Sequence, residues 1–93
     1  MGETNEGRRV KLANPCHPGE ILRDCIRESG QTVGGAAKRI GISRAMLNRI
    51  LSGQGRISAR LALILERMGW ANGETWLRMQ AAFDLAQERR KVA

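Results

Sequence analysis

Arg44, Ala45, Asn48 and Arg49 combine side chains that can read nucleic-acid bases with a spacing that puts them on one helical surface. An arginine fork matches the O6 and N7 acceptors of guanine, and an asparagine amide matches N6 and N7 of adenine. At about 100° per residue, Leu47, Ile50 and Leu51 cluster on one side of a helix. Ala45, Arg49 and Ser52 fall opposite, flanked by Asn48 and Met46, and Arg44 projects from the first turn. Ala45 and Met46 offer weaker apolar contact to a thymine methyl. Gln31, Thr32, Ser43, Gln54 and Arg56 bracket this helix and the one before it. They are phosphate candidates, and phosphate contacts position a protein on a duplex without specifying sequence.

Other chemistry is thinly represented. Cys16, His17 and Cys25 do not form the tight ligand pairs of a zinc site, so no metal is expected and both thiols read as reduced cysteines. His17 has no nucleophile at a recognisable spacing, and the carboxylates are scattered. There is no Walker lysine loop and no GxGxxG. The expectation is a non-enzyme without a cofactor.

The chain carries 16 Lys and Arg against 9 Asp and Glu, a net charge of +7. Between Glu28 and Glu66 there is no acid, while Lys38, Arg39, Arg44, Arg49, Arg56 and Arg60 all fall inside. A solvated helix ordinarily mixes both signs to gain pairs three and four residues apart. A stretch of one sign forgoes those pairs and builds a local positive field suited to nucleic acid. The 93 residues suffice for one domain. No apolar run is long enough to span a membrane. Residues 1–14 lack the apolar stretch of a secretory signal, which points to a cytoplasmic protein without membrane contact.

These residues need helices to position them, and the sequence is punctuated for helices throughout. No alternation of period two is sustained, and aromatics make up 3%. Pro18 suits a first helical residue and Gly30 a stop, predicting a helix over 18–29 with Ile21, Leu22, Cys25 and Ile26 facing inward. Thr32 caps a second helix over 33–40, which Gly41 ends. Gly34 and Gly35 weaken this helix, so Ala36, Ala37 and Ile40 must hold it by packing. Ser43 caps a third over 44–52, Ser58 a fourth over 59–68, and Asn72 starts a fifth running to about Glu88. Trp76, Met79, Gln80 and Phe83 form the buried stripe of the fifth. The domain therefore spans 15–88, between a flexible arm over 1–14 and a frayed basic tail over 89–93. The second and third helices, about 32–52, form a helix-turn-helix, whose second helix enters the major groove. Ala37 permits close approach and Gly41 the turn.

The run His17-Pro18-Gly19-Glu20-Ile21-Leu22, the Gly41-Ile42-Ser43 turn, Ile57-Ser58 through Leu61 to Met68-Gly69, and Trp76-Leu77-Arg78-Met79-Gln80-Ala81-Ala82-Phe83-Asp84-Leu85 together carry a resemblance. Over residues 16–86 the chain resembles the HigA/VapI-type antitoxins of the Xre helix-turn-helix family. The resemblance implies an all-α, five-helix, phage-repressor-like (lambda repressor-like) domain. It implies a homodimer that represses its own operon at a palindromic operator in double-stranded DNA. It also implies a partner, a small ribonuclease toxin of HigB/RelE-like type. Ser43, Arg44, Ala45, Asn48 and Arg49 fall on the DNA-reading stretch by position. The fifth helix falls where such proteins dimerise, making Leu77, Arg78, Ala81 and Leu85 interface candidates. Two other readings stand beside this one: a transcriptional regulator of the same family with no toxin partner, and a protein-interaction module whose basic face binds an acidic protein.

Overall fold

The structure is a computed structural model and describes residues 16–92. The expected arm over 1–14 lies outside them. Among the described residues there are five α-helices and no strands. They are α1 (Pro18–Glu28), α2 (Val33–Ile40), α3 (Arg44–Leu51), α4 (Ala59–Arg67) and α5 (Gly73–Val92). Each expected helix is present. The first, third and fourth stop one residue short of the expected end, at Ser29, Ser52 and Met68, which serve as C-caps with the cap amide still bonded to the last turn. The fifth continues past Glu88 through Arg89 and Arg90 to Val92, and Lys91 Nζ lies 3.2 Å from Glu88 Oε2.

Short-range hydrogen bonds start the helices. Thr32 Oγ1 accepts from the Gly35 amide at 3.0 Å, Ser43 Oγ from Met46 at 3.0 Å, and Ser58 Oγ from Leu61 at 3.2 Å. Asn72 Oδ1 accepts from the Thr75 amide at 2.8 Å. Each satisfies an amide that a helix N-terminus otherwise leaves unpaired. α1 is capped by His17, whose Nδ1 accepts from the Gly19 amide at 2.8 Å.

The turn between α2 and α3 depends on Gly41. Its φ of 93° is left-handed, a conformation that costs any side chain energy. The Gly41 and Ile42 amides both return to the Ala37 carbonyl, at 2.8 and 3.1 Å. Ala37 is buried, so α2 and α3 approach closely there.

One core joins all five helices. Leu22 and Ile26 from α1 meet Ala36 and Ile40 from α2, Leu47 and Ile50 from α3, and Leu61 and Leu65 from α4. Trp76 of α5 is fully buried and donates its indole N–H to the Trp70 carbonyl at 2.7 Å. α5 packs on α4 and on α1, while α3 packs on α2 and α1. α3 is thus held from behind, and its outer face stays open.

Candidate nucleic-acid interface

The buried side of α3 is Leu47, Ile50 and Leu51, the side expected from helical spacing. The opposite side carries Arg44, Ala45, Met46, Asn48 and Arg49, all exposed. Among the described residues, the side chains of Arg44, Asn48 and Arg49 make no hydrogen bond or ion pair within the protein. A positive group with no internal partner keeps its full donor set for an external one. Met46 is 52% exposed beside them, an apolar group at the edge of a polar face.

The phosphate candidates divide. Ser43 and Thr32 sit at the exposed N-termini of α3 and α2, each with its hydroxyl oxygen accepting from its own helix and its proton available to donate outward. Gln54 is exposed in the loop after α3, its amide anchored to the Arg49 carbonyl at 2.9 Å. Gln31 is half-buried and donates to Ser29 Oγ at 2.9 Å. Arg56 pairs with Asp84 of α5 at 2.5 Å. That contact is solvent-exposed and weak, of the order of 1 kcal/mol or less, so Arg56 is tethered rather than withheld.

The interface candidates Leu77, Arg78, Ala81 and Leu85 are all exposed on one side of α5. Leu77 is 38% and Leu85 51% exposed, and with Ala81 and Ile57 they line a shallow groove bordered by the polar and charged Arg56, Gln80, Asp84 and Glu88. Among the described residues, no group of three or more His, Cys, Asp or Glu is arranged to hold a metal ion, and no helix is long and apolar enough to cross a membrane. Cys25 is partly buried, and burial, then Glu28, then Asp24 push its thiol above the ordinary value.

Residues that sequence reasoning left aside also bear on this face. Gln80, buried in the apolar stripe of α5, accepts from the Ile57 amide at 2.8 Å through Oε1. Its Nε2 donates to Asp84 at 3.0 Å. His17 Nε2 donates to the Gly55 carbonyl at 3.0 Å, and Arg23 donates to the Leu51 carbonyl at 3.1 Å. A glutamine at a core position of a helix was the one visible signal.

Two short helices joined at a left-handed glycine, the second presenting unpaired arginine and asparagine from an all-α core, define a phage-repressor-like helix-turn-helix protein. No family model matches the chain. It is 35% identical to virulence-associated protein A' of Dichelobacter nodosus over 83% of this chain and 68% of that one. Among solved structures, it is similar to an addiction module antidote protein of the HigA family from Coxiella burnetii, at 32% identity and a TM-score of 0.74, covering 83% of this chain and 85% of that one. It is likewise similar to the antitoxin HigA of Pseudomonas aeruginosa, a structure that includes the higBA promoter, at 32% identity and a TM-score of 0.77, covering 84% and 86%. The chain belongs to the HigA family of helix-turn-helix antitoxins.

Proposed function

We propose that this protein is a DNA-binding antitoxin that represses its own operon as a homodimer and inactivates a small HigB/RelE-like ribonuclease toxin. α3 lies in the major groove, with Arg44, Ala45, Asn48 and Arg49 against base edges. Ser43, Thr32, Gln31, Gln54 and Arg56 meet the flanking phosphates. Two copies joined along Leu77, Arg78, Ala81 and Leu85 of α5 present two such helices to a palindrome. In helix-turn-helix dimers the half-sites lie about 34–36 Å apart, or a multiple of that distance.

The observation that carries this reading is the outer face of α3, three unpaired polar or cationic side chains in a stretch without acids. The likeness to a HigA seen with its promoter supports it. Family membership supports the toxin partner, and the exposed leucines of α5 support the dimer.

The test is equilibrium binding to the DNA upstream of the protein's own coding sequence and to a scrambled duplex, over a salt series. A preference of about a thousandfold is expected. Affinity for scrambled DNA should fall with salt by a slope of about 0.9 per phosphate neutralised. Equal affinity for both duplexes overturns sequence-specific repression. A second arm asks whether the purified protein inhibits RNA cleavage by a small basic protein encoded beside it. Operator preference without such inhibition leaves a transcriptional regulator with no toxin partner.

A further inference from the structure

We propose that His17, Gly19 and Arg23 of the α1 start, together with Gln80 of α5, clamp the loop that follows α3 and so set the position of the recognition helix on DNA. This rests on the DNA-reading role proposed for α3. It gives a task to the two stretches that carry the family resemblance most specifically, the His17-Pro18-Gly19-Glu20 opening and the Trp76-to-Leu85 run.

The contacts converge on one short segment. A Cβ placed on Gly19 would lie 2.1 Å from the Ile50 carbonyl oxygen, so only glycine lets α1 close on the end of α3. Arg23 donates to the Leu51 carbonyl at 3.1 Å, one of the last carbonyls that a helix leaves without an internal partner. Because the Gly19 amide donates to His17 Nδ1, the ring proton sits on Nε2, which donates to the Gly55 carbonyl at 3.0 Å. Phe83 of α5 stands edge-on to that ring, with centroids 4.7 Å apart at 79°. Gln80 Oε1 accepts from the Ile57 amide, two residues further on, at 2.8 Å.

The loop between Leu51 and Ile57 contains Gly53 and Gly55, and its amides at Gly53, Gln54 and Gly55 return to the Ile50 and Arg49 carbonyls of α3, at 3.1, 2.9 and 2.9 Å. Side chains of His17, α1 and α5 hold the other groups of this segment, the Gly55 and Leu51 carbonyls and the Ile57 amide. Side chains that read bases must be held within about 0.5 Å of their productive geometry, by neighbours whose own positions are locked. His17, Arg23 and Gln80 are positioning residues, acting on DNA only through α3 and its loop.

His17→Asn and Arg23→Met test the clamp in the full-length chain. Asparagine can still cap α1 but is too short to reach Gly55, and Arg23 lies on the surface, so its variant retains the core. Two quantities are read: amide hydrogen exchange at Gly53, Gln54 and Gly55, and the ratio of dissociation constants for scrambled and operator DNA. Expected is a rise in exchange at those amides of about threefold to tenfold, the net worth of one hydrogen bond, with amides of α4 and α5 unchanged. The operator preference should fall by a similar factor while binding to scrambled DNA stays the same. A purely structural role would reduce the folded fraction, weaken both duplexes equally and leave the ratio intact. Unchanged loop exchange, a rise spread evenly over α4 and α5, or an intact ratio overturns the proposal. If the wild-type protein shows no operator preference, the DNA reading itself fails, and loop exchange alone then decides whether the clamp exists.

Discussion

At the scale of single residues, function divides cationic side chains by whether the fold has already given them a partner. Arg49 has none and Arg56 has Asp84. Arg49→Ala is therefore expected to relax preference at one base position per half-site, costing about 1–3 kcal/mol. Binding to a panel of single-base operator variants measures this, and an unchanged preference profile excludes Arg49 from base reading. Gln80 is the opposite case, a polar group whose partners are all internal. Gln80→Leu leaves the Ile57 amide buried without an acceptor, a loss of about 1–3 kcal/mol readable by urea denaturation. The Cys25 thiol, raised by burial and by Glu28 and Asp24, adds a pH dependence. Its contribution to stability is fully present below the unfolded-chain thiol value of about 8.5 and is lost as pH rises through the higher folded value. Melting curves should show Cys25→Ala losing less stability than wild type across that alkaline window.

At the scale of elements, α2 is the weak member. Its sequence, VGGAAKRI, begins with a β-branched residue and two glycines, each unfavourable in a helix. Burial of Ala36, Ala37 and Ile40 holds its inner face, and the Thr32 hydroxyl holds its first turn. Thr32→Ala is expected to cost about 1 kcal/mol, and thermal unfolding would show it. A stronger helix would feel the same loss less in its local exchange. α3 has the same kind of cap at Ser43, so its N-terminus, the end proposed to enter the groove, is held in place by the protein itself. α5 achieves order differently, through Trp76 in the core and Gln80 and Phe83 against other elements.

At the scale of the whole molecule, two surfaces differ in kind. One, around α3, is built from a cationic stretch of chain without acids, with Asp84 of α5 paired to Arg56 beside it; the other exposes Leu77, Ala81 and Leu85 along α5. Apolar side chains in a row at helical spacing are costly to leave in water, and the proposed dimer removes that cost for both copies. Leu77→Glu combined with Leu85→Glu should give a folded monomer by analytical ultracentrifugation. Its operator affinity should drop by about a hundredfold or more, because two linked recognition helices bind with a high effective concentration and one alone does not. A dimer that survives both substitutions moves the interface elsewhere.

The helices, their caps and the outer face of α3 were legible in the chain because they depend on residues a few positions apart. A serine or threonine three residues ahead of an amide, a glycine after the last turn and apolar groups at helical spacing act locally. The acid gap between Glu28 and Glu66 needed no structure at all. Tertiary structure alone decided the contacts of His17, Arg23, Arg56 and Gln80 with Gly55, Leu51, Asp84 and Ile57, which lie 38, 28, 28 and 23 residues away. His17 reads in sequence as neither a metal ligand nor part of a catalytic pair, and in space it caps α1 and holds Gly55. Arg56 reads as a phosphate ligand, and in space it first meets Asp84. Local hydrogen bonds follow from the order of residues along the chain, whereas contacts across such distances exist only after the core has brought α1, the loop and α5 together.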